Sequence, residues 1–157
     1  MADRDFTLQG PGGKGPVQRA HDTARALGLR RLPSSELELA EVVSRGLPIT
    51  TIASLSGSLG WSRAELFNQL GVAPRTAARR LKQKVALTGP ESDRLLRVAR
   101  TFARATEVLE SRESARRWLI EPCAALAGRR PLGLLATDLG VELVLNELGK
   151  IDHGFFA

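Results

Sequence analysis

Apolar positions recur with helical spacing almost without interruption beyond Pro33. Behind Ser34 or Ser35 as cap, Leu37, Leu39, Ala40, Val42 and Val43 form one amphipathic segment that closes on Gly46. A short helix follows Pro48, carries Ile49, Ile52, Ala53 and Leu55, and is expected to end near Gly57. Ser62-Arg63-Ala64-Glu65 has the composition of a capping box and opens a helix with Leu66, Phe67 and Leu70 that stops at Gly71. Pro74 suits the first turn of the next helix, predicted to Lys84, with Ala77, Ala78, Leu81 and Val85 as its apolar stripe. From Ser92 to Leu109 one long helix turns Leu95, Leu96, Val98, Ala99, Phe102, Ala105, Val108 and Leu109 inward. Arg94, Arg97, Arg100 and Arg104 line its other side and read as a solvated face. Val and Ile never alternate over a strand's length, so the expected class is all-α.

Ahead of these helices, residues 1–33 read as a flexible or partly helical leader. Gly10 to Gly15 is no phosphate-binding loop, because Pro16 stands where a Lys-Ser/Thr pair is needed and no strand precedes it. Residues 17–31 can form a basic helix that Leu32-Pro33 breaks. Residues 34–112 make the middle region and 113–157 a smaller C-terminal unit.

The middle region carries the chemistry. A capped helix, a short turn at Gly71 with Val72 tucked into the corner, and a second helix from Pro74 make a helix-turn-helix. The second helix holds Arg75, Arg79, Arg80, Lys82 and Lys84 and no acidic residue. N-terminal residues of such a helix reach base edges, so Arg75, Thr76 and Arg79 are the expected readers, with Lys82 and Lys84 on phosphates. Arg80 joins the basic set, although it falls where an apolar residue is common, and Phe67 is large for its place in the first helix.

Charge agrees with this placement. Residues 62–112 contain 11 basic and 5 acidic side chains, whereas the segments on either side nearly balance, so the net +6 of the 157-residue chain sits in its middle third. An anionic partner such as operator DNA fits that asymmetry. A helix-turn-helix commonly reads a palindrome as a two-fold dimer, so a homodimer is expected. One cysteine, Cys123, and two separated histidines, His21 and His153, leave no basis for a disulfide or a metal site. No nucleophile–base pair or carboxylate pair stands out, so catalytic residues, cofactors and enzymatic activity are not expected. Without a long apolar run or a signal-peptide core, a cytoplasmic protein without a membrane partner is expected.

The C-terminal unit is punctuated by Gly and Pro. Gly128 is expected to end one helix, Pro131 to start the next, and Thr137 or Asp138 to cap the last, around a small core of Leu132, Leu134, Leu135, Val141, Val144, Leu145 and Leu148. Trp118 is expected to fill that core rather than to meet a partner directly. The run Ala115-Arg116-Arg117-Trp118-Leu119, then Glu121-Pro122, Gly128-Arg129-Arg130-Pro131-Leu132, Leu134-Leu135-Ala136-Thr137, Gly140, Val144, Leu148, Ile151 and Gly154, resembles the toxin-binding domain of the Xre/MbcA/ParS antitoxins. Arg75-Thr76-Ala77-Ala78-Arg79-Arg80 is similar to the basic run in that family's helix-turn-helix. Cys123 and Ala127 depart from the family's usual Asn and Gly.

The resemblance implies an antitoxin that blocks an NAD-consuming RES-domain toxin and represses its own operon, forming a larger assembly with the toxin. The toxin contact it implies is the tail Asp152, His153, Gly154, Phe155, Phe156 and Ala157, whose adjacent aromatics are too short a segment to build a core of their own. The alternative reading is a stand-alone transcription regulator whose C-terminal unit dimerises or senses a ligand.

Overall fold

A computed structural model describes residues 14–154. Within them the chain forms nine α-helices and no strand, apart from one isolated bridge between Cys123 and Arg129. The all-α expectation therefore holds. The helices are α1 (Pro16–Ala26), α2 (Glu36–Ser44), α3 (Thr50–Leu59), α4 (Arg63–Gln69), α5 (Pro74–Gln83), α6 (Gly89–Val108), α7 (Arg112–Ile120), α8 (Pro131–Leu134) and α9 (Asp138–Asp152).

Helix α6 is the spine. It buries Leu95, Leu96, Val98, Ala99, Phe102 and Ala105, and packs against α1, α2, α7 and α9. Burying one such Leu or Phe is worth about 1.5–3 kcal/mol, so this helix organises the core that runs from Ala20 to Leu148. Helix α1 joins that core through Ala20 and Ala24, small side chains that let its backbone come close to α6.

Three helix boundaries differ from expectation, each for a local reason. Helix α3 runs through Gly57 and stops at Gly60, whose φ of +68° makes the left-handed exit. Helix α6 starts before Ser92: Thr88 caps it by accepting from the Glu91 backbone N–H, and the Glu91 carboxylate accepts from Thr88 N–H at 2.8 Å. Ser92 is fully buried instead, where its hydroxyl accepts the Leu47 N–H at 2.8 Å. Helix α1 ends at Ala26, short of the expected break at Leu32-Pro33, because the chain turns at Gly28, whose φ is +66°.

The arginine row of α6 is the larger correction. Arg94 donates to the Leu70 carbonyl at 2.7 Å, Arg97 pairs with Asp93 and Asp138 at 2.9 Å, Arg100 pairs with Glu36, and Arg104 pairs with Asp152 at 2.7 Å. Together the guanidiniums tie the spine to three other parts of the chain: the turn after α4, both ends of α9, and the start of α2. What reads as a solvated face in the sequence is a set of tertiary fasteners.

Candidate functional site

The helix-turn-helix is built by local signals that the sequence states directly. The Ser62 hydroxyl accepts the Glu65 N–H at 3.1 Å, and the Glu65 carboxylate accepts the Ser62 N–H at 2.7 Å, closing the capping box. Those Ser62 hydrogen bonds hold the Glu65 carboxyl below its ordinary value. Leu66 and Phe67 are buried on α4, and the chain leaves at Gly71, whose φ of +73° a side chain would strain. Val72 is buried in the corner, its N–H donating to the Phe67 carbonyl at 3.0 Å. Arg94 satisfies Leu70, one of the carbonyls that the end of α4 leaves without a helical partner.

Helix α5 then presents its basic side chains. Arg75, Arg79 and Lys82, at i, i+4 and i+7, are exposed on one face, and Thr76 is half-buried beside them. Lys84 is the left-handed C-cap at φ +54° and is also exposed. Among the described residues no carboxylate lies within ion-pairing distance of these four cations. Ala77 is the buried side chain of α5 and Leu81 is half-buried against the core, whereas Ala78 and Val85, expected on the apolar stripe, face solvent.

Arg80 stands apart from the other basic residues. It turns inward to form an ion pair with Glu91, the two side chains only 17% and 14% exposed. A charge thus occupies a position where such motifs commonly place an apolar residue, and it is tolerated because its partner stands at the first turn of α6. Burial raises the Glu91 pKa, but the Thr88 N–H, Arg80 and the Thr88 hydroxyl outweigh it, so Glu91 titrates below the ordinary 4.5. Its folded value being depressed, the stabilisation is present above pH 4.5 and lost as pH falls through the lower folded value. We expect Glu91→Gln to destabilise the fold by about 1–3 kcal/mol at pH 7, since it leaves a half-buried guanidinium without its charge partner. The difference from wild type should shrink in thermal melts as the pH is lowered below 4.5.

The C-terminal unit consists of α7, a 3-10 turn at Ala124–Leu126, α8 and α9. Gly128 and Ala127 both take positive φ, at +73° and +55°, so the turn departs from the helix at these two residues. Pro131 starts α8, and the Thr137 hydroxyl caps α9 by accepting the Gly140 N–H at 3.1 Å. Gly140 is required by packing: a Cβ there would stand 1.8 Å from the Leu134 carbonyl oxygen. Leu132, Leu135, Val144 and Leu148 are buried, Leu134 and Val141 partly so, and Trp118 packs half-buried against the same core. Leu145 is the exception to the expected core and is 39% exposed.

Of the tail, Asp152 still belongs to α9 and its carboxylate is engaged by Arg104. Burial disfavours the Arg104 charge, but the Asp152 and Glu107 carboxylates more than offset this and raise its pKa. His153 is the exposed C-cap, and Gly154 turns at φ +73°. Phe155, Phe156 and Ala157 lie outside the described residues.

Sequence reasoning missed one feature of this unit. Leu139 and Leu143, four residues apart on α9, are 66% and 47% exposed. Leu143 lines a shallow groove of about 500 Å³ together with Ala125, Asn146, Lys150 and His153. Helical periodicity places Leu139 and Leu143 on one face but does not say which face a neighbour covers. Among the described residues no helix is long and apolar enough to cross a membrane, and no cluster of three or more His, Cys, Asp or Glu is arranged to hold a metal.

Comparison with known proteins adds a second line of observation. Residues 38–100 match the family described as the antitoxin Xre-like helix-turn-helix domain, and residues 104–154 match the antitoxin Xre/MbcA/ParS C-terminal toxin-binding domain. The chain is 27% identical over 122 residues to an antitoxin Xre of Photorhabdus laumondii, covering 77% of this chain and 82% of that protein. It is 26% identical over 144 residues to an antitoxin Xre of Yersinia enterocolitica, covering 90% and 95%. It is also 23% identical over 133 residues to a Sphingobium protein named Prs ADP-ribosylating antitoxin, covering 79% and 84%.

Proposed function

We propose that this chain, which belongs to the Xre-type antitoxin family by both of its matched domains, neutralises a RES-domain toxin and represses its own operon. The family itself establishes an antitoxin of a toxin–antitoxin pair with a DNA-binding helix-turn-helix. The observation that carries the fuller reading is the division of the surface: four cations on α5 and its C-cap with no ion-pair partner among the described residues, and a groove on α9 that Leu143 shares with His153.

On the DNA side, Arg75, Thr76 and Arg79 read base edges while Lys82 and Lys84 bind phosphates. Arg80 stays on Glu91 and positions the helix instead of touching DNA. Two copies bind a palindromic operator as a dimer. On the toxin side, contact starts at His153 and continues through Gly154, Phe155, Phe156 and Ala157. Asp152 anchors the end of α9 from which the tail leaves, held to α6 by Arg104. A RES-domain partner follows from the family resemblance, and the relative named an ADP-ribosylating antitoxin supports it, because ADP-ribosylation draws on NAD as such a toxin does. The antitoxin acts by occlusion of the toxin rather than by catalysis.

Co-expression tests the reading. Expressed with a RES-domain toxin, the chain should co-elute as one stable complex and restore growth that the toxin alone arrests. Separate elution, with growth still arrested, would sink the proposal.

A further inference from the structure

We propose that Arg129 and Arg130 form a second contact to the DNA backbone, so that a bound duplex touches the C-terminal unit as well as α5. The inference rests on the DNA-binding role proposed for α5. The pair stands on a loop whose backbone is fixed by hydrogen bonds. Cys123 N–H donates to the Arg129 carbonyl at 3.0 Å, Arg129 N–H to the Leu126 carbonyl at 3.1 Å, and Gly133 N–H to the Arg130 carbonyl at 3.1 Å. Pro131 and Leu132 behind them are buried, so the loop is seated as well as hydrogen-bonded. Both arginine side chains are exposed, and among the described residues neither has a carboxylate within ion-pairing distance. This contrasts with the arginines of α6, each of which has an acidic or carbonyl partner. The fold uses those guanidiniums and leaves these two free.

Their position supplies the partner. Gln69, the last residue of α4, donates its side-chain amide to the Leu132 carbonyl at 3.1 Å. The loop is thereby held at the end of α4 that turns through Gly71 into Pro74, the first residue of α5. Arg130 is two residues from Leu132, so its Cα lies within about 8 Å of that contact. A duplex whose major groove, about 12 Å wide, receives the N-terminus of α5 therefore brings a flanking strand toward the loop. Two adjacent guanidiniums with no ion-pair partner among the described residues match phosphate oxygens, which they grip through paired N–H groups. The contact adds affinity and register, not sequence preference.

The test is a salt titration with the full chain. Binding of a mixed-sequence 30-base-pair duplex is followed by fluorescence anisotropy for wild type and for Arg129→Gln/Arg130→Gln. We expect the slope of log affinity against log salt to become shallower by nearly 2 for each chain bound, since each lost phosphate contact removes about 0.9. Affinity at 0.15 M salt should fall roughly tenfold or more, equally for duplexes of any sequence. The melting temperature should not change, because neither side chain is used by the fold. An unchanged slope in a wild type that does bind overturns this inference alone. A wild type with no salt-dependent binding overturns it together with the DNA-binding role of α5. Loss of toxin capture with unchanged DNA binding also overturns it, assigning the loop to the protein interface.

Discussion

Reversing the charge of Arg75 and Arg79 together is expected to abolish operator binding and leave toxin neutralisation intact. The two side chains are exposed on one face of α5, have no intramolecular partner among the described residues, and contribute nothing to the core. A bidentate contact from Arg to a base is worth about 1–3 kcal/mol, and Glu in its place also repels the neighbouring phosphates. The combined loss is at least a hundredfold and should be seen as a complete loss of shift in a mobility assay at physiological salt. Neither residue lines the α9 groove, so growth rescue of toxin-expressing cells should match wild type. Loss of rescue in a variant that melts normally would show that toxin binding and DNA binding share α5, contrary to the division drawn here.

Ending the chain at Gly154 is the second large expectation. Every helix, the Arg104–Asp152 pair and the α9 cap are retained in such a variant, so its melting temperature should be that of the full chain. What it loses is Phe155 and Phe156, whose side chains are the strongest apolar contacts the tail can offer a partner. Aromatic residues that fill a partner's pocket commonly cost more than 2 kcal/mol each when removed, so affinity for the toxin should drop by about a hundredfold or more. Isothermal titration against an inactivated toxin reads this directly. Full affinity in the shortened chain would move the contact to the exposed Leu139–Leu143 face of α9. A cut after Lys150 is the poorer experiment, because it also removes Asp152 and with it a tie between α9 and the spine.

The Arg80–Glu91 pair links these surfaces to stability. Glu91 caps α6 and holds α5 through one carboxylate, so it joins the recognition helix to the spine. The α6 arginines extend the same spine to α9 through Asp138 and Asp152. A single helix thus carries both α5 and α9, and a perturbation of its charged ties is expected to be felt at each.

The sequence alone determined whatever depends on neighbours in the chain. Ser62 with Glu65, Gly71 with Pro74, and Thr137 ahead of α9 are capping and turn signals read within a few residues, and each folds as its composition dictates. The all-α class follows from the apolar spacing in the same way. Thr88 with Glu91 is an equally local signal, a capping box that starts α6 at Gly89 and not at Ser92. What only the tertiary structure decided is the fate of side chains whose helical face is compatible with either water or a partner. Arg94, Arg97, Arg100 and Arg104 have the periodicity of a solvated stripe, yet each finds a group brought from another element. Arg80 and Arg79 are adjacent, identical residues, and one is half-buried against Glu91 while the other faces outward. Leu145 and Leu148 both fit the core pattern of α9, and only Leu148 is covered. A helix of 3.6 residues per turn specifies which residues share a face, but the neighbour that covers the face comes from distant sequence, and that neighbour sets which cations remain free to bind.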